Sequence, residues 1–168
     1  HRADQRPYVP VAPQTEKVRT LLRRRAKLVE SRVQLQQSAA EVPEISRDVR
    51  AVIQKLDATV RKIDGIVAEV LGGNELRERL QTMVGVGPVT SAVITTELEA
   101  NEFATSDVFV AFCGLDPRPR DLGKHKGKRV VSKRGSRSLR SAFFLTALSA
   151  SSSKLWRPYY ASLVARGL

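Results

Sequence analysis

Apolar residues in this chain recur mostly at helical spacing. From Thr15 onward Val18, Leu21, Leu22, Leu28, Val29, Val33 and Leu35 return every three or four positions among Arg, Lys, Glu and Gln. That pattern predicts a helix to about Ala40 with Thr15 as its N-cap. Pro43 then starts a second helix, whose first turn does not need the missing N–H. Within it Val49, Leu56, Ile63 and Val70 form one column, Val52, Thr59 and Ile66 a second, and Ile53, Val60 and Val67 a third. Positions a, d and e of a heptad are thus almost entirely apolar, a stripe wider than a two-helix seam. The first helix can cover part of it as an antiparallel partner, and a second copy of the hairpin the remainder. Gly72 and Gly73 end the element, since glycine takes a left-handed C-terminal conformation without steric cost.

Shorter elements follow Asn74. "ELRERLQTM" reads as a helical turn or two, "GVGP" as a tight turn, and "VTSAVITTEL" as a helix of small and branched residues. "SDVFVAFCG" is a short helix capped by Ser106 or Asp107 and stopped by Gly114. Pro117, Pro119, Gly123 and Gly127 keep the next stretch out of regular helix. Ser136 caps a helix whose Leu139, Ala142, Phe143, Thr146 and Ala150 share an inward face, and Trp156, Pro158, Tyr159, Tyr160 and Leu163 make a final packing patch. Strand signal is limited to "KRVV". The fold class is therefore mainly α. Residues 1–14, with three prolines, are an extended linker. A long antiparallel helical hairpin, a coiled-coil arm, occupies residues 15–73. Residues 74–168 form a small helical domain with a helix-hairpin-helix-like turn and a basic loop.

Charge sharpens the picture. The 168 residues include 29 Lys or Arg against 17 acids, a net +12, which makes a polyanion the leading partner. No long apolar run suits a membrane span and no leader pattern opens the chain, so a cytoplasmic protein is expected. The single Cys113 sits in "VFVAFCGL" and reads as a buried structural thiol, and neither His1 nor His125 has a partner at metal-binding spacing, so no metal is assigned to this chain.

Between Gly114 and Arg140 ten cations (Arg118, Arg120, Lys124, Lys126, Lys128, Arg129, Lys133, Arg134, Arg137 and Arg140) face two acids. Charge concentrated beside flexible glycines suits a phosphate backbone, whose neutralisation releases counterions. An anionic membrane surface and a merely solvated loop are the other readings of such a run. No aromatic residue interleaves with these cations, so stacking on unpaired bases is not indicated in this stretch. Upstream, Gly85 and Gly87 flank Val86 in a turn that could bring backbone close to a phosphate at a helix N-terminus, with Ser91 where two helices must approach. The plainer reading of that turn is a helix corner touching only protein.

Four stretches, "VGVGPVTSAVITTEL", "FATSDVFVAFCGLDPRPR", "GKHKGKRVVSKRGSRSLRSAFFLTALSA" and "YYASLVARG", resemble in order and spacing the C-terminal region of bacterial insertion-sequence transposases. Those proteins carry a RuvC-like DEDD N-terminal domain, and Piv-type DNA invertases and bridge-RNA-guided recombinases are related to them. The resemblance covers about Met83 to Gly167, while "RPYVP" and "LLRRRAKLVESR" resemble the family's linker and coiled-coil arm. It implies that four N-terminal carboxylates hold Mg2+ and that a C-terminal serine attacks a DNA phosphodiester. This chain departs from that pattern twice. The DEDD domain is not in it, and Asp4 alone cannot make a metal site. Leu122 stands where the family has the serine, and leucine has no nucleophilic atom. Ser132 offers another hydroxyl and also reads as a turn or capping residue, so the catalytic group stays unassigned.

The resulting expectation is the nucleic-acid-binding C-terminal part of a transposase or site-specific recombinase, working with a metal-dependent N-terminal domain. Its partners would be DNA, a structured guide RNA, and at least one further copy through the arm. It would act at the bacterial nucleoid and, alone, bind nucleic acid without cutting it. Two other classes remain: a non-enzymatic helix-hairpin-helix DNA-binding module, and a helical interaction protein with an acidic protein partner.

Overall fold

Pro13, whose ring pre-sets a helical φ, opens the first helix, α1 (Pro13–Ala39), in a computed structural model that describes residues 10–39, 42–118 and 130–167. Thr15 is thus not a cap. It lies inside the first turn, buried, with its hydroxyl toward Glu99 Oε2 at 3.5 Å. Pro43 starts a 3-10 turn (Pro43–Ile45) that runs into α2 (Ser46–Val70). Arg25 bonds Asp64 at 2.5 and 3.2 Å, and Arg32 bonds Asp57 at 3.4 Å. Residue numbers rise on one helix as they fall on the other, the antiparallel register.

The apolar stripe of α2 is covered unevenly. Val60, Ile63 and Val67 are buried, and the last two join Val18, Leu71 and Ala92 in one core cluster. The column through Val52 and Thr59 faces outward, continued by Ile45 one heptad earlier, with Val52 50% and Ile45 47% exposed. A single α1 spans only part of so wide a stripe.

Beyond Gly73 the helices shorten to α3 (Glu75–Gln81), α4 (Pro88–Ala100), α5 (Ser106–Cys113), α6 (Arg137–Ser151) and α7 (Arg157–Ala165). Asn74 caps α3 through its side chain. Thr105, not Ser106 or Asp107, caps α5 by accepting from the Val108 N–H. α4 packs against α1, α2, α3 and α6, which is why its sequence shows no single apolar face: Ser91 through Thr96 are all buried except the half-buried Val93. Ala92 faces the arm cluster. Ile94 faces a second cluster with Cys113 and Leu139, edged by Phe109, Phe112 and Phe143. Phe103 meets Phe109 and Phe112 edge to face, with ring centroids 5.0 and 5.1 Å apart.

Two hydroxyls of α4 are satisfied within the bundle, while that of Thr95 is buried without a partner among the described residues. Ser91 Oγ donates to the Pro88 carbonyl and accepts from Gln81 Nε2, tying α3 to α4, and Thr96 Oγ1 donates to the Ala92 carbonyl. The only described strands are the antiparallel pair β1 (Pro117–Arg118) and β2 (Val130–Val131). The expected final packing patch does not form. Trp156, Tyr159 and Tyr160 on α7 stand in solvent, and Leu163 alone is half buried, because α7 rests chiefly on α6.

Candidate nucleic-acid interface

The basic segment leaves and rejoins the helical domain at a tied neck. α5 stops at Gly114, whose φ of +68° is the left-handed conformation that suits glycine. Backbone bonds then run from Ser132 N–H to the Asp116 carbonyl (3.0 Å), Lys133 N–H to the Gly114 carbonyl (3.1 Å) and Ser136 N–H to the Phe112 carbonyl (2.7 Å). Ser132 Oγ also donates to the Asp116 carboxylate. Gly135 passes so near the end of α5 that a Cβ there would lie 2.6 Å from the Phe112 carbonyl carbon, and nearer still to the Phe112 oxygen and the Gly114 nitrogen. Ser136 caps α6 as expected, accepting from the Leu139 N–H.

The cations are not equivalent. Arg140 turns inward and donates through Nη1 to the carbonyls of Cys113 (3.3 Å) and Gly135 (3.5 Å), so it braces the neck. Lys133 is exposed and, among the described residues, is the only non-glycine with positive φ (56°). Arg134 and Arg137 line a cleft of about 510 Å³ together with Arg19, Arg23 and Glu97. In that cleft Glu97 is already taken. Arg19 reaches both its oxygens, at 2.7 and 3.3 Å, and this hydrogen bonding holds the guanidinium above its ordinary pKa. Arg23, Arg134 and Arg137 form no ion pair among the described residues. Three arginines from two distant segments thus line one opening with no ion pair of their own. The hydrogen bond and charge of Lys27, to which the charge of Arg137 adds, hold the Glu30 carboxyl below its usual range. Desolvation by burial raises the thiol of Cys113, below the neck, so it stays protonated at neutral pH.

Arg120, Leu122, Lys124, Lys126, Lys128, Arg129 and the side chain of Arg118 lie outside the described residues. Gly85 is accounted for by packing. At φ +92° a Cβ would lie 2.5 Å from the Thr146 carbonyl oxygen and 3.0 Å from the Ala150 nitrogen, so glycine is needed there to seat the turn on α6. Gly87 has open space around it and caps α4. The residue that the chain pattern did not single out is Arg23. Its signal is the run Arg23-Arg24-Arg25, which a helix spreads over three directions: Arg25 to Asp64, Arg24 outward, Arg23 to the cleft.

Comparison with known proteins places residues 77–161 on the model of the transposase IS116/IS110/IS902 family. A transposase for insertion sequence element IS1328 from Yersinia enterocolitica is 34% identical over 71 residues, covering 42% of this chain and 21% of that protein. A probable family 20 transposase from Pseudomonas aeruginosa is 36% identical over 70 residues, covering 41% of this chain and 21% of that protein. The matched stretch is therefore a small part of each relative.

Proposed function

Because the chain belongs to the IS116/IS110/IS902 transposase family, we propose that it is the nucleic-acid-binding C-terminal part of a DNA transposase or site-specific recombinase. The observation that carries this reading is the cleft where Arg23, Arg134 and Arg137 converge beside the basic segment with the local acid neutralised internally. Guanidiniums in a shared opening suit phosphate oxygens, which they grip in bidentate fashion. Phosphate contacts position a strand without reading its sequence, so the same surface serves DNA and a structured guide RNA. We place the strand-cutting chemistry on a metal-dependent domain outside this chain, working with Mg2+. Among the described residues no three His, Cys, Asp or Glu side chains come together. Ser132, bonded twice to Asp116, we assign to holding the neck and not to attacking a phosphodiester.

The outward column of Ile45, Val52 and Thr59 supports dimerisation of the arm, narrower than the full stripe from Val49 to Val70. No helix among the described residues is long and apolar enough to cross a membrane. We read the setting as the bacterial nucleoid.

A salt titration tests the nucleic-acid reading. Affinity for a labelled duplex should fall steeply with salt, and changing Arg23, Arg134 and Arg137 together to Gln should flatten the log–log slope by about 2 to 3 for all sequences alike. A flat slope in the unaltered chain would favour an acidic protein partner and sink the proposal.

A further inference from the structure

α7 and its N-cap Trp156 bear an amphipathic face at helical spacing, Trp156, Tyr159, Tyr160, Leu163 and Val164, of which all but the half-buried Leu163 are exposed. Trp156 is 46%, Tyr159 56% and Tyr160 51% exposed. The corner that carries it is nevertheless held. Ser153 Oγ donates to the Ala150 carbonyl (2.6 Å) and accepts from the Trp156 N–H (3.3 Å), and Pro158 pre-sets the first turn of α7. Trp156 and Tyr159 meet at 74° with centroids 6.1 Å apart, an edge-to-face contact.

Charge narrows what such a face receives. From Leu122 to Leu168 the sequence has eleven Lys or Arg and no acid. Lys154 and Arg157 flank Trp156 along the chain, and neither forms an ion pair among the described residues. A neutral protein surface laid over the aromatics would desolvate cations that have no carboxylate to pair with. A nucleic-acid strand offers flat bases to the rings and phosphates to the cations at once. Only unpaired bases present their faces in this way, since duplex bases already stack on one another.

We propose that the α6–α7 corner is a stacking platform for an unpaired nucleic-acid strand, separate from the arginine cleft. The proposal rests on the nucleic-acid reading above and adds the single-stranded ligand.

Trp156 is the chain's one tryptophan, so its fluorescence reports this corner alone. A single-stranded oligothymidylate should quench it, and a blunt duplex should not. By anisotropy, Tyr159→Ala and Trp156→Ala should each weaken single-strand binding about tenfold while duplex affinity stays within about twofold, and Trp156→Phe should bind nearly as the unaltered chain does. Circular dichroism checks that each variant keeps its helix content. Single-strand binding without quenching, or alanine variants that keep single-strand affinity, would overturn the platform while leaving the duplex reading standing. A Trp156→Ala chain that changes its sedimenting mass but not its single-strand affinity would make the face a protein contact, also against the proposal. Absence of binding to either nucleic acid would instead remove the underlying reading.

Discussion

Replacing Gly135 with alanine should loosen the whole neck of the basic segment. The added methyl meets backbone and not a yielding side chain: its Cβ would lie 2.6 Å from the Phe112 carbonyl carbon, with the Phe112 oxygen and Gly114 nitrogen nearer still. Overpacking of this kind costs about 1–3 kcal/mol. Moving the strand away also stretches the bonds from Ser136 N–H to Phe112 and from Lys133 N–H to Gly114, each worth about 1 kcal/mol. The sum is a loss of roughly 3–5 kcal/mol, a large share of the about 5–15 kcal/mol that holds a domain together. Calorimetry should show the melting temperature of the variant lower by about 10 °C. Because Arg134 and Arg137 flank Gly135, duplex affinity should fall as well, although no charge is altered. The reasoning would be refuted by a G135A chain within about 1 kcal/mol of the original in urea titrations, since the neck could not then depend on backbone contact. Gly65→Ala is the control. Gly65 sits exposed within α2 with open space around its Cα, so alanine there should stabilise by about 1 kcal/mol through helix propensity alone.

Arg19→Ala should destabilise the junction of α1 with α4 by about 3 kcal/mol in denaturant titrations, because it strands the buried Glu97 carboxylate; Glu97→Gln in the same chain should recover part of that loss. Cys113 should resist alkylation in the native protein and react at the rate of unfolding, measured by mass shift against time. Its thiol is held above the ordinary value of 9.0, so the unfolded chain sheds this proton first. The contribution to stability is complete below about pH 9 and declines as pH rises beyond it, a loss that Cys113→Ser should abolish in pH-resolved melting curves.

Periodicity and charge are local properties, and they were legible along the chain: the two long helices, the Ser136 cap, the concentration of cations before Arg140, and the mainly α class. Even Gly114 could be read as a helix stop, because a left-handed residue is a requirement of the backbone next to it. What α4 packs against could not be read, since a helix buried on most sides has no apolar face to betray its partners. Nor could the different fates of neighbouring arginines. Arg140 braces carbonyls, Arg19 neutralises Glu97 and Arg23 joins Arg134 and Arg137 because packing brings the arm onto the α6 end of the small domain, and Coulomb energy depends on that distance through space. The same holds for α7. Its amphipathic spacing announces an apolar face, and only the three-dimensional arrangement leaves that face to solvent.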